Sequence, residues 1–543
     1  MASSSHEFTV GDEKECLPHY HVELTEDYLL EFEMLNSLCS VESYDQLFFF
    51  FESNMNRRRL PVPPSDVIIV ILTLAAMGEH YKDRALRAKD PYNVARVGIP
   101  VRAVKLLRGL LRILEEFEVE LYDRYALELL RCQFLIVSDH LSPAAVNPKT
   151  FRNERDPQKR RKTNSGVLLE STKSMKDADQ SWFSNNYSSY VSVLDHKSKI
   201  LNCTPLTAKL SQEGEFWNCV AWALYTSMSE NPHEYYCGRA WLPILEVIFD
   251  LYDLRHAYFM NFELDKDQNT RGLSRSLEKC PILGVFKVLS SQNLQTALCD
   301  YLFIGCKYSL MGKILVHSPY HNEIDTSTTY ISHNDVSNEY KLKKTMALRR
   351  QILRLFFKLL QSLSPGVNII PHVDEDCFFK DLAETLQSFE SSEQLKSFFF
   401  TSTINLDISF LPMLAQHTLK QITGQLGFEV DMFIADNLGG DDVVLKELLE
   451  EFTIGLPRFN PDYEEPREKV YKSIEICDLC VVVLLRYLIY VHGTAALKKV
   501  DVFEGFLKAV KDNDKYRDLY AEEMNWEDLA PPKLYSLICE LFS

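Results

Sequence analysis

Cys477 and Cys480 stand three positions apart, and a Cys-x-x-Cys pair is half of the ligand set that a structural zinc ion requires. No second Cys-x-x-Cys pair occurs in the sequence to supply the other half. The two thiols also lie in an almost wholly apolar segment, where cysteine behaves as a small hydrophobic residue. The pattern therefore favours two reduced core thiols without a metal.

Histidines form two weaker patterns. His317 and His321 have the spacing of successive helical turns, but Pro319 between them disfavours a rigid helix and indicates a surface loop. Asp253 and His256 are neighbours on one predicted helix face and could belong to a dispersed catalytic site. Without a nucleophile or a metal ligand beside them, such a pair more often stabilises a surface.

The strongest charge feature is the basic run Lys159, Arg160, Arg161 and Lys162. Its surroundings lack hydrophobic periodicity, so three interpretations stay open: a solvated linker, a nuclear import signal and a weak phosphate contact. We take the run as a candidate nuclear import signal. The shorter run Arg57–Arg59 falls in a predicted loop, where solvation alone accounts for it.

The segment Asp441–Leu445 resembles the acidic-flanked strands that dock on ubiquitin-like modifiers by edge pairing. The same residues fit an ordinary amphipathic helix that begins after Gly440, and the sequence favours that simpler interpretation.

No phosphate-binding glycine motif is present, because neither GxxxxGK[S/T] nor GxGxxG occurs. We therefore expect no cofactor and no intrinsic nucleotide hydrolysis. The formal net charge is −18, from 77 acidic residues against 59 Lys and Arg. Since duplex binding depends on neutralising phosphates, we expect little direct DNA binding, and that binding should be strongly salt-dependent.

Cysteine usage bears on the compartment. The thirteen cysteines show no dense spacing pattern, and Met1–Gly11 is polar, without the apolar stretch of a signal peptide. We therefore expect reduced thiols in the cytosol or the nucleus.

The two core thiols require a helix to position them, and the apolar segment Glu475–Gly493 is that helix. Read at 3.6 residues per turn, both of its faces are mostly apolar, which is typical of the core of a large protein or of a membrane span. Asp478 and Arg486 interrupt the apolar run, so it falls short of a spanning helix. We predict a core helix around which the rest of the chain is organised, ended by Gly493.

Similar helical patterns follow one another along the chain, which predicts an all-α, multi-helical fold of stacked helices in two packed lobes with long disordered loops. A chain of 543 residues is long enough for two or three core-bearing units. The predicted divisions are a disordered tail (1–18), an N-terminal helical unit (19–142), a flexible basic insertion (143–186), a middle helical unit (187–310), a long loop (311–344) and a C-terminal helical unit (345–543).

Consecutive phenylalanines occur at Phe48–Phe51 and at Phe398–Phe400. One helix face cannot bury a whole run of this kind, because successive side chains point in different directions. Some of these rings must pack between layers or against another chain, so we expect a surface for interaction.

Five stretches of the sequence together resemble one family, the fungal non-SMC element 5 proteins, which are subunits of the SMC (structural maintenance of chromosomes) five/six complex. They follow the order of the family and span most of the chain, and none is a short generic motif. They are HYHVELTEDYLLEFEMLNSLCSVESYD (His19–Asp45), KDPYNVAR (Lys89–Arg96), LELLRCQFLIVSDHLSP (Leu127–Pro143), MALRR (Met346–Arg350) and CDLCVVVLLRYLIYVHGT (Cys477–Thr494).

The resemblance implies an all-helical subunit without catalytic residues, located in the nucleus and associated with chromosomes. It implies a tight heterodimer with the sixth non-SMC element, docked near the ATPase heads of the complex. Such a pair restrains ATP hydrolysis, promotes loading onto chromatin for DNA repair and recombination, and is linked to the SUMO conjugation machinery. The resemblance identifies no partner-binding residues and implies no membrane contact. Two alternatives stay open: a helical adaptor of another nuclear complex, and an enzyme with a dispersed site at Asp253 and His256.

Overall fold

A computed structural model of the chain shows seventeen α-helices and one two-stranded hairpin within the residues that it describes. Those residues are 24–76, 98–115, 121–141, 215–264, 280–291, 294–306, 315–316, 329–330, 339–362, 375–389, 392–400, 410–425, 467–525 and 530–542, with a few isolated positions between them. The predicted all-α fold is confirmed. The predicted tail, the basic insertion and the segment Asp441–Leu445 lie outside the described residues.

The helices of the N-terminal and middle parts follow in close succession. They are α1 Glu26–Ser40, α2 Tyr44–Asn54, α3 Ser65–Ala76, α4 Ile99–Glu115, α5 Arg124–Leu141, α6 Glu215–Thr226, α7 Pro232–Tyr258, α8 Pro281–Lys287 and α9 Leu294–Leu302. A π-helical turn, Phe259–Glu263, continues α7, and a 3-10 turn, Val288–Ser291, continues α8.

The C-terminal part begins with a short hairpin and continues with helices. It contains β1 Leu315–Val316, antiparallel to β2 Thr329–Tyr330, then α10 Glu339–Ser362, α11 Glu375–Gln387, α12 Ser392–Phe399, α13 Phe410–Gln425, α14 Arg467–His492, α15 Thr494–Leu497, α16 Asp501–Glu523 and α17 Leu534–Phe542.

The apolar run of Ser65–Ala76 suits a buried strand by composition, but its length and the alanines at its end predict a helix. It forms a helix in which Asp66–Ala76 are all buried, and it packs against α4, α5 and α7. Neighbours on several sides explain why the segment needs no polar face.

The 27-residue helix α7 lies at the centre of the first half of the fold. It contacts α3, α4, α5, α6, α8 and α10. Its start lies so close to the end of α6 that a Cβ at Gly238 would come within 2.3 Å of the Ser227 nitrogen. A residue larger than glycine would therefore push these two helices apart.

Helix α14 has the core position predicted for it, packed against α12, α13 and α17. Every residue from Ile476 to Leu485 is buried. Burial on all sides ends there, since Arg486 is exposed and lies 5.3 Å from the ring centroid of Phe400. Gly493 ends the helix with a φ of 81°, a left-handed conformation that favours glycine.

The rings of the two phenylalanine runs point in different directions around their helices, so they differ in burial. Phe48 and Phe51 are buried and Phe49 is 69% exposed, while Phe398 and Phe399 are buried. In the first run one ring, that of Phe49, therefore reaches solvent.

The boundaries of the predicted units can be compared with the helices. Helix α10 begins at Glu339, so the predicted loop 311–344 ends a few residues too late, and β1 and β2 also fall within it. One cluster of buried hydrophobic side chains extends from Tyr28 to Ile538, across all three predicted helical units. The division into those units stays a prediction.

Candidate functional site

Polar side chains line the contact between α7 and α10. Asp253 on α7 receives hydrogen bonds from two bases of α10: Lys358 Nζ lies 2.7 Å from both of its carboxylate oxygens, and Arg354 Nη2 lies 3.3 Å from Oδ2. One helical turn earlier, Gln351 donates to the backbone oxygen of Glu246 and to the carboxylate of Asp250. The acids of α7 thus meet the donors of α10 turn by turn.

His256 continues this row and is 5% exposed. Ser362 Oγ donates to the Lys358 carbonyl at 2.7 Å, so its oxygen is left to accept from His256 Nε2–H at 3.2 Å. The unprotonated Nδ1 then faces Cys280 Sγ at 3.7 Å and can accept its S–H. Neutral imidazole and neutral thiol therefore complement each other.

Burial keeps both groups neutral. It lowers the pKa of His256 to about 4, opposed by Asp253 and reinforced by Lys358. It also raises the pKa of Cys280 to about 11, against the hydrogen bonds from the backbone of Ile282 and Leu283. A nucleophilic cysteine needs a lowered pKa and access to substrate. The arrangement instead ties α7, α8 and α10 together, so the pair predicted from sequence, Asp253 and His256, has a structural role here.

The neutral state of His256 predicts a pH effect on stability. Its pKa is about 4 in the folded protein against an ordinary 6.5, so its contribution is complete above pH 6.5 and is lost as the pH falls toward 4. Between pH 7.5 and pH 5, we expect the free energy of unfolding to fall by about 2 kcal/mol more in the wild type than in His256→Gln. Urea unfolding of both proteins at the two pH values measures this. Equal pH dependence in the two would refute it.

A second buried polar cluster joins the last long helices. Asp478 of α14 and Arg517 of α16 form a bidentate pair with N–O distances of 2.7 and 2.8 Å, and both side chains are at most 2% exposed. Arg517 also donates to the Pro532 carbonyl at 3.0 Å. Asp514 accepts from the backbone nitrogens of Leu534 and Tyr535, at 3.1 and 2.9 Å, at the start of α17.

Burial acts in opposite directions on the pKa values of Asp478 and Arg517. It raises the pKa of the Asp478 carboxyl, against the attraction and the hydrogen bonds of Arg517. Burial alone would lower the pKa of Arg517, but Asp478 and Asp514 outweigh it and raise that pKa. Two desolvated charges are tolerated here because each is the other's principal partner.

Asp478 lies between the two cysteines of the Cys-x-x-Cys pair, Cys477 and Cys480. Cys477 and Cys480 are both fully buried, and burial raises the pKa of both thiols. Neutral thiols are poor zinc ligands. Among the described residues no three His, Cys, Asp or Glu side chains come together in a way that could hold a metal ion. The core position predicted for these thiols is confirmed.

Changing Cys477 and Cys480 to alanine is expected to lower the free energy of unfolding by about 1 to 2 kcal/mol each, through lost packing. The purified wild type is expected to contain no stoichiometric zinc. Chemical denaturation and elemental analysis measure the two effects. Stoichiometric zinc that disappears in the double variant would overturn this prediction.

The MALRR stretch contains a buried arginine that was not predicted from the sequence. Arg349 is fully buried and donates to the carbonyls of Leu302 and Ile304 at the end of α9, and to Thr345 Oγ1 at 2.9 Å. Burial lowers its pKa. The sequence did hold a signal, since Arg349 continues the apolar stripe of Leu342, Met346 and Leu353 on α10.

Several other residues singled out in the sequence do not belong to these polar clusters. Lys159, Arg160, Arg161 and Lys162 lie outside the described residues, as do His317 and His321. The loop predicted around Arg57–Arg59 is confirmed, and Arg59 there pairs with Asp27 at 3.0 Å.

Exposed apolar side chains mark the surface of the first helices. Leu30 and Met34 on α1, Phe49 on α2 and Val101 on α4 all reach solvent. Within the described residues, no helix has both the length and the hydropathy of a membrane-spanning segment. The fold and its polar clusters define a large, multi-helical protein in which buried ion pairs and hydrogen bonds hold helices together, while apolar side chains on the first helices face outward.

Comparison with known proteins gives this class a more specific identity. The model of the Nse5 family, described as "DNA repair proteins Nse5 and Nse6", matches residues 1–511. The chain is also 35% identical over 534 residues to non-structural maintenance of chromosome element 5 of Saccharomyces cerevisiae, covering 96% of this chain and 95% of that protein. The chain therefore belongs to the Nse5 family. It is a non-SMC element of the SMC five/six complex and acts in DNA repair and chromosome maintenance.

Proposed function

We propose that this chain is a non-catalytic regulatory and loading subunit that forms a tight heterodimer with the sixth non-SMC element. The pair restrains the ATPase of the SMC five/six complex and promotes its loading onto chromatin in DNA repair and recombination. The observation that carries the proposal is family membership over nearly the whole chain. A match of this extent argues for a shared role of the whole protein and not of one module.

The described polar clusters support a role in binding rather than in catalysis. The carboxylate of Asp253 is occupied by two bases, and His256 is enclosed between Cys280 and Ser362. His256 therefore presents no general base to solvent, and the partly exposed carboxylate of Asp253 is engaged by Arg354 and Lys358. The enzyme alternative therefore has no support in the pair that motivated it.

The surface of the N-terminal helices supports pairing with another subunit. Phe49 is 69% exposed and Val101 is 71% exposed, and we propose that they belong to an apolar patch of the kind that marks interaction surfaces. We expect an interface larger than the ~1,600 Å² of total buried area that is standard for stable complexes. Its centre should be apolar.

The net charge of −18 disfavours direct binding to DNA phosphates, so we expect that binding to be weak. Contact with chromatin would then come through the rest of the complex. We further propose nuclear localisation, with Lys159, Arg160, Arg161 and Lys162 as the import signal, and a connection to the SUMO conjugation machinery.

Co-expression with the sixth non-SMC element tests the pairing. Size-exclusion chromatography with light scattering should give one species with the summed mass of the two chains. The same sample should capture the SMC subunits in a pull-down. A chain that stays monomeric beside that partner, or that captures only subunits of a different nuclear complex, would favour the helical-adaptor alternative instead.

A further inference from the structure

The outward face of α1 is apolar, although only its inward face is needed for the core. Tyr28, Phe32, Leu35 and Cys39 are buried against the rest of the fold. On the opposite side, Leu30 is 60% exposed, Met34 is 40% exposed and Val41, directly after the helix, is 68% exposed. These three residues have i, i+4 and i+11 spacing, so they form one line along the helix. We call this line the α1 stripe.

The α1 stripe has acidic side chains along its edges. Glu26 and Glu33 lie on one side of it and Asp27 on the other, and all three are exposed. Asp27 pairs with Arg59, whereas Glu26 and Glu33 form no ion pair within the described residues. Residues 22–56 contain eight acids and no Lys, Arg or His, and of these Glu31 also lies 4.0 Å from Arg59, while Asp45 and Glu52 pair with Arg102. The acids are Glu23, Glu26, Asp27, Glu31, Glu33, Glu42, Asp45 and Glu52.

We propose that the α1 stripe is a docking surface for a basic amphipathic helix of a partner protein. An apolar line with acids along both edges is complementary to a helix whose apolar face is flanked by Lys and Arg. Helix α1 has 15 residues and is about 22 Å long, which suits a partner helix of about four turns.

The charge argues against two other occupants. A second copy of this chain, docked stripe to stripe, would bring the acids of the two α1 helices together. An anionic membrane surface would be repelled by the same acids. A basic amphipathic helix would instead bury its apolar face on the α1 stripe and place its Lys and Arg side chains beside the acids along the edges.

A model peptide tests the proposal directly on the full-length protein. The probe is the 14-residue Leu/Lys peptide LKKLLKLLKKLLKL, blocked at both ends and fluorescently labelled, with its Leu/Glu counterpart LEELLELLEELLEL as the charge-reversed probe. Binding is measured by fluorescence anisotropy for the wild type, for Leu30→Gln/Met34→Gln, and for Tyr516→Gln/Leu519→Gln. The last variant removes an exposed apolar pair from α16 at the same net charge, which makes it the matched control.

We expect the Leu/Lys peptide to bind the wild type, with a dissociation constant at least tenfold higher for Leu30→Gln/Met34→Gln. The control variant should stay within twofold of the wild type, and the Leu/Glu peptide should not bind. All substituted side chains are exposed, so the variants should keep the wild-type circular dichroism. Failure of the wild type to bind, equal affinity for the stripe variant, or equal binding of both peptides would overturn the proposal. Self-association of the wild type that the stripe variant abolishes would assign the surface to a second copy instead.

Discussion

Replacing Asp478 by alanine is expected to lower the free energy of unfolding by about 3 to 5 kcal/mol, because it leaves the buried guanidinium of Arg517 without its principal partner. That guanidinium is wholly buried, so water cannot replace the carboxylate without opening the contact between α14 and α16. Asp514, 3.5 Å from Arg517, already holds the start of α17 and can compensate only in part. The effect should appear in chemical denaturation as a lower midpoint and weaker cooperativity.

A matched control comes from the same helix. Asp512 on α16 pairs with Lys515 at 3.3 Å, but both side chains are more than half exposed. Surface pairs of this kind contribute little, so Asp512→Ala should leave the denaturation midpoint nearly unchanged. If Asp478→Ala behaved like Asp512→Ala, the Asp478–Arg517 pair would not be what fixes α14 against α16.

The second large effect is expected at Trp217 on α6. Trp217→Ala should lower the free energy of unfolding by about 3 to 5 kcal/mol, the usual range for truncating a buried tryptophan. Its ring is fully buried, with the rings of Phe216, Phe286 and Tyr301 at 5.6 to 5.9 Å between centroids. Its Nε1–H donates to the Val285 carbonyl on α8 at 2.8 Å. The truncation therefore removes a side chain that joins α6 to α8 by a hydrogen bond and by ring contact with Phe286.

Trp217→Phe separates the two contributions at this position. It keeps most of the ring packing and removes the hydrogen bond to Val285, so the loss should be about 1 to 3 kcal/mol. Urea unfolding of both variants at pH 7.5 measures the difference. Equal losses for Phe and Ala would mean that packing of the ring contributes little, contrary to its complete burial.

Much of the helical fold could be predicted from the sequence, because periodicity is a local property. The core position of α14 followed from apolar residues on both faces, and its end at Gly493 from a residue that tolerates positive φ. The choice of helix over strand for α3 followed from the length of its apolar run. The boundary at Glu339 was missed, since charged residues at the start of α10 look like loop residues.

The polar clusters could not be predicted, because their partners are far apart in the sequence. Asp478 looked like an interruption of an apolar helix, and nothing local connects it to Arg517, 39 residues later. His256 looked like a surface residue, because the two residues that enclose it are distant in sequence: Cys280 lies directly before α8, and Ser362 lies on α10. Arg349 did carry a local signal, since it occupies a core position of α10, but its acceptors belong to another helix.

The proposed regulatory function is tested by the ATPase rate of the purified SMC five/six complex, measured with and without this chain and the sixth non-SMC element together. We expect slower ATP turnover when the pair is present, and no turnover by this chain alone. Asp478→Ala, with its C-terminal helices loosened, should restrain the ATPase less than the wild type does. An ATPase rate that is unchanged or raised by the wild-type pair, while the pair is bound to the complex, would contradict the proposed regulatory function.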